Sequence, residues 1–86
     1  DMRFLKNPHW IADLRPMTGF DAPVADYVAA DPEFAGAFER ISDLILYLLP
    51  RYDAQGKDYV SIAFGCTGGR HRSVFIAEKF GQILKA

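Results

Sequence analysis

Apolar positions along the chain recur with two different periods. From Phe34 through Ala37, Phe38, Ile41, Leu44, Ile45 and Leu48 the spacing is helical, and Glu39, Arg40 and Asp43 lie off the stripe. Asp31-Pro32-Glu33 supplies the start signals, an Asp cap, a proline at the first helical position and an acid favourable to the helix dipole, while Pro50 supplies a stop. The pattern predicts a helix over 32–49. Asp21-Ala22-Pro23 starts a shorter helix over 23–29 in the same way. A third helix is predicted over 73–85, presenting Val74, Ala77, Phe80 and Leu84 and weakened slightly by Gly81.

The second period is two. Asp1 to Leu5 places Arg3 on one face and Met2 and Phe4 on the other, as a strand with one wet face does, and Asn7-Pro8 ends it. Tyr59 to Phe64 is apolar on both faces except at Ser61, the pattern of a strand covered on both sides. These elements predict an α/β fold. Strand 59–64 is internal to a small sheet, strand 1–5 lies parallel to it through a right-handed crossover, and helices 32–49 and 73–85 flank them. Both strands then end on one edge, which carries His9 and the stretch Gly65 to Ser73.

Composition narrows the picture. Eighty-six residues make a single domain, 1–86, that buries roughly 60 to 65 percent of its unfolded surface. The chain opens at Asp1 rather than at a methionine, which suggests a piece of a longer protein. Net charge is −1 but unevenly spread. Asp21 to Asp43 holds six acids against Arg40, whereas Lys57 to Ala86 holds five bases against Asp58 and Glu78. The bases thus gather around Gly65 to Ser73, which suits an anionic ligand. A lone Cys66 forms no internal disulfide and fits a reducing compartment, and no apolar run reaches the roughly 18 to 20 residues that span a bilayer. A cytoplasmic protein without membrane contact is expected.

Candidate chemistry concentrates in Gly65-Cys66-Thr67-Gly68-Gly69-Arg70-His71-Arg72-Ser73. Glycines here free the backbone torsions, so that consecutive amides can turn inward on an anion at the start of a helix. Arg72 can offer a planar fork to phosphate oxygens, Thr67 and Ser73 supply hydroxyls, and His71 supplies a ring donor. The lysine of a P-loop is absent, and Cys66, His9 and His71 do not make metal-ligand spacing, so neither a metal nor a cofactor is expected. Cys66-x5-Arg72-Ser73 resembles the signature loop of protein tyrosine phosphatases, in which a thiolate attacks phosphorus. That reading stays open as an alternative, with Asp1, Asp13 and Asp21 as possible acids and Gly65 where those enzymes carry a histidine.

A wider set of residues resembles one family along nearly the whole chain. Asn7-Pro8-His9-Trp10, Arg15-Pro16-x-Thr18-Gly19, Leu49-Pro50-Arg51-Tyr52 and Gly65-Cys66-Thr67-Gly68-Gly69-x-His71-Arg72-Ser73-Val74 are similar, in order, to the C-terminal domain of the RapZ/YvcJ family of bacterial RNase adapter proteins. The resemblance implies a regulatory domain, not an enzyme, that follows an N-terminal P-loop nucleotide-binding domain absent from this chain. It implies a site for a sugar phosphate, glucosamine-6-phosphate, on Thr67, Gly68, Gly69, Arg72, His71 and Ser73, with His9, Arg3 and Asp1 closing the pocket. It further implies small regulatory RNA and an endoribonuclease as partners, Arg15, Arg70 and Lys79 as candidate RNA contacts, and a homo-oligomer.

Overall fold

The computed structural model describes residues 1–57 and 59–85. Among them there is no strand: the elements are a 3-10 turn at Pro8–Trp10 and three helices, α1 (Ala22–Ala29), α2 (Phe34–Ala54) and α3 (Arg72–Lys85). The expected α/β sheet is therefore overturned. Segment 1–5 is a turn in which the Asp1 carboxylate takes the Arg3 N–H at 3.0 Å and the Leu5 N–H reaches the Met2 carbonyl at 3.3 Å. This local bonding competes with extension. It buries Met2 and Leu5, three apart, and leaves Phe4 51% exposed.

The stretch 59–64 has the apolar pattern of a strand without a neighbour to make it one. Among the described residues the nearest backbone bond to segment 1–5 lies just past this stretch, where the Met2 N–H reaches the Gly65 carbonyl at 2.6 Å. One bond is not a ladder. Tyr59 is accordingly 92% exposed, and only Phe64 turns inward, toward Phe80 at 6.0 Å.

Helix α2 runs past the proline expected to end it. Pro50 sits inside the helix, where a proline removes one backbone bond and costs about 3 kcal/mol, and the next residue folds back with Arg51 Nη1 on the Tyr47 carbonyl at 2.6 Å. The stop is Gly56, left-handed at φ 78°. The Lys57 N–H reaches the Tyr52 carbonyl at 3.2 Å and the Gly56 N–H reaches that of Asp53 at 2.9 Å, a Schellman closure. At the other end Asp31 is buried. Its carboxylate takes the N–H of Lys6 at 2.7 Å and of Glu33 at 2.9 Å, so it ties segment 1–6 to the start of α2.

The core is formed by α1 against α3 and the first turn of α2. Val24 and Val28, one turn apart on α1, are wholly buried and meet Phe34, Phe75 and Ile76, with Met2, Leu5 and Leu14 closing the cluster. Burying such a side chain contributes roughly 1.5 to 3 kcal/mol. On α3 the inward face is Phe75, Ile76 and Phe80 with Arg72 and Ser73, whereas Ala77 and Leu84 of the expected stripe face out. The molecule extends 47 Å by 22 Å by 22 Å, and on the second half of α2 Leu44, Leu46 and Tyr47 lie exposed.

Candidate anion-binding site

The loop from Gly65 leads into α3 through a tight turn. Gly68 and Gly69 take left-handed torsions, φ 83° and 60°, and the Gly69 N–H reaches the Cys66 carbonyl at 3.3 Å. A Cβ at Gly65, Gly68 or Gly69 would meet nothing within 4 Å, so all three leave an open approach rather than serve packing, and Gly68 and Gly69 also serve backbone conformation. Gly19 is the opposite case. A Cβ there would collide with the Phe75 N–H group and the His71 carbonyl, and its own N–H reaches the Arg70 carbonyl at 2.9 Å. Thr18-Gly19 thereby docks the 11–20 loop directly onto the head of α3.

Behind the glycine turn three polar residues are buried. Arg72, 4% exposed, donates Nη1 to the carbonyls of Arg3 at 2.8 Å and Leu5 at 3.0 Å, fastening the first segment to α3. No carboxylate pairs with it among the described residues, where the one ion pair is the exposed Arg3–Asp1 contact at 2.6 Å. His71 is 5% exposed, and its Nε2 has no hydrogen-bond partner among the described residues. Ser73 bonds Cys66, its Oγ 3.2 Å and its N–H 3.3 Å from the sulfur. Burial pushes the Cys66 thiol up, but the Ser73 hydroxyl and the amides of Ser73, Gly69 and Arg70 outweigh it and hold the thiol below its ordinary value.

The residues singled out in the sequence divide between two cavities that share Thr67. One, of about 470 Å³, is lined by Asn7, His9, Trp10, Thr67, Gly68, Arg70 and His71. The other, of about 410 Å³, is lined by Asp1, Arg3, Gly65, Cys66 and Thr67. His9 thus shares a cavity with the glycine turn and His71, while Asp1 and Arg3 lie in the second and are engaged with each other. Gly69, Arg72 and Ser73 line neither of these two.

A family model, the RapZ C-terminal domain, matches residues 1–86. The chain belongs to that family. Nucleotide-binding proteins of Novosphingobium aromaticivorans and Erythrobacter litoralis are 66% and 62% identical to it over 85 residues, and one of Acidiphilium cryptum is 58% identical over the same length. Each alignment covers 99% of this chain and 28% of the relative, so this RapZ C-terminal domain spans little more than a quarter of the curated relatives it matches.

In this RapZ C-terminal domain two of the three candidate RNA contacts also lie around the turn. Arg15 Nε donates to the His9 carbonyl at 2.8 Å, and Arg70 donates to the carbonyls of Met17 at 3.2 Å and Pro16 at 2.8 Å. Both guanidinium groups stay exposed while bracing the cavity wall. Lys79 stands apart, its ammonium 6.0 Å and 5.8 Å from the ring centres of Phe34 and Phe38. Two residues carry more of the architecture than their sequence context signals, Trp10 on the cavity wall and Asp31 beneath segment 1–6. Among the described residues no helix is long and apolar enough to cross a membrane, and no group of three His, Cys, Asp or Glu side chains could hold a metal ion.

Proposed function

We propose that this domain is a regulatory ligand-binding module that takes the phosphate of a sugar phosphate, glucosamine-6-phosphate in the first instance, on the turn Thr67-Gly68-Gly69. The observation that carries the reading is the pair of buried basic side chains behind that turn. His71 has an unpartnered ring nitrogen and Arg72 a buried charge without a carboxylate, both described above. A buried charge is ordinarily paired and a buried ring nitrogen ordinarily hydrogen-bonded, and an anion on the turn offers a counter-charge to the first and an acceptor to the second. The amides of Thr67 and Gly68, the Thr67 hydroxyl and the open glycine approach bind the phosphate, and His9 lines the same cavity. Arg72 holds segment 1–5 in place and contributes its field.

Within the longer protein we assign the domain no turnover of its own. It engages small regulatory RNA and an endoribonuclease in the cytoplasm, as a homo-oligomer, with Arg15 and Arg70 beside the ligand cavity and Lys79 on α3 meeting the RNA backbone. Calorimetric titration with glucosamine-6-phosphate, glucosamine and inorganic phosphate tests the ligand. Binding of both phosphates but not of glucosamine is expected, and no binding of any of the three overturns the reading. An RNA gel shift that does not weaken with salt removes the backbone contacts.

A second reading, a cysteine-dependent phosphatase, is favoured by the Cys66–Ser73 contact at 3.2 Å and the lowered thiol. Against it, Arg72 directs Nη1 at carbonyls of the first segment rather than over the turn. Hydrolysis of an aryl phosphate that disappears in Cys66→Ser would establish the enzyme.

A further inference from the structure

Trp10 is the only tryptophan of the chain, and it stands 76% exposed on the wall of the cavity of about 470 Å³ that also holds Thr67, Gly68 and His71. Single exposed apolar residues are ordinary. This one is held on a rigid mount. Pro8 beneath it is fully buried, the Trp10 N–H reaches the Asn7 carbonyl at 3.2 Å, and the Ile11 N–H reaches that of Pro8 at 3.0 Å. Asn7 Oδ1 accepts the His9 N–H at 3.1 Å, and the His9 ring meets the indole edge to face at 5.9 Å and 77°. A preorganised aromatic surface loses little conformational entropy when a ligand settles on it. The cavity is also far larger than a phosphate ion and falls in the range of roughly 300 to 1,000 Å³ typical of small-molecule sites.

We propose that Trp10 is the specificity-determining platform of this cavity: its indole takes the flat face of a ring whose phosphate monoester sits on the Thr67–Gly69 turn. The proposal rests on the phosphate reading above. Two carriers present such a face, a pyranose through its C–H groups and a nucleoside through its base. The size and mixed lining of the cavity, with the Trp10 indole beside the polar groups of Asn7, Thr67, Arg70 and His71, suit a ring with one apolar face and polar edges.

The test is calorimetric titration of the full-length protein and its Trp10→Ala and Trp10→Phe variants with a hexose 6-phosphate, a nucleoside 5′-monophosphate and inorganic phosphate. The difference between variant and parent isolates this cavity from any other site in the longer protein. Trp10→Ala is expected to weaken one ring-bearing ligand roughly five- to tenfold, the size of a lost aromatic contact, and to leave inorganic phosphate within about twofold. Trp10→Phe is expected to retain most of the affinity, and the arm that responds identifies the ring. Equal loss for all three ligands, or no loss for either ring-bearing ligand, overturns the platform while leaving the phosphate site standing. Absence of binding by the parent protein in all three arms overturns both.

Discussion

Gly65 to Arg70 and His71 to Ser73 adjoin in the chain but meet different surroundings. The first stretch is exposed apart from half-buried Cys66, and its glycines face open space. The second is buried throughout, though it consists of a histidine, an arginine and a serine. A binding turn needs both. The front must stay uncovered and adopt torsions that only glycine takes without strain, and the back must hold charge and donors in a place where water does not screen them. The difference teaches that the most basic residue of the motif, Arg72, does its work from behind the turn.

The comparison is broken most severely at Arg72. Arg72→Ala removes two charge-assisted hydrogen bonds and strands the carbonyls of Arg3 and Leu5, at a cost of about 3 kcal/mol in urea unfolding, with Arg72→Lys retaining part of the stability. Unchanged stability with lost phosphate binding would move Arg72 to the front. Gly68→Ala acts in the reverse sense. At φ 83° with open space around the Cβ, the penalty is torsional only, about 1 kcal/mol of stability, while phosphate affinity is expected to fall roughly tenfold.

The smallest effects belong to Cys66, where front and back touch. Its alkylation rate should reach half-maximum at a pH below that of an ordinary thiol, and Ser73→Ala should move that midpoint upward. The sign for stability follows from a depressed pKa. The thiolate's contribution is fully present above the ordinary thiol pKa and is lost as pH falls through the lowered value. Cys66→Ser is expected to leave phosphate affinity within about twofold in calorimetry, whereas loss of binding would return the thiol to the centre of the site.

Much of the candidate site is legible in the residues because its determinants are local. Glycines at 68 and 69 announce left-handed backbone, and the Val74-to-Leu84 periodicity announces a helix after them. The helix starts near Asp21 and Asp31 are legible for the same reason, although Asp31 turns its carboxylate to Lys6 as well as to its own helix. The end of α2 is misread from Pro50, since a proline's effect on a helix depends on what replaces its missing bond, while Gly56 is the residue whose torsion closes it. The sheet is misread because apolarity at 59–64 and alternation at 1–5 describe single segments. A strand is a relation between two.

By itself, then, the sequence determined the three helices, the glycine turn and the gathering of basic and hydroxyl side chains around it, all set by torsional preference and near neighbours. Tertiary structure alone decided that His71 and Arg72 are buried, that Tyr59 is not, that His9 shares a cavity with the turn while Asp1 and Arg3 share another, and that Trp10 stands over the first. Burial and pocket walls arise between segments up to 69 residues apart, as from Arg3 to Arg72, and no local pattern in either segment encodes the other.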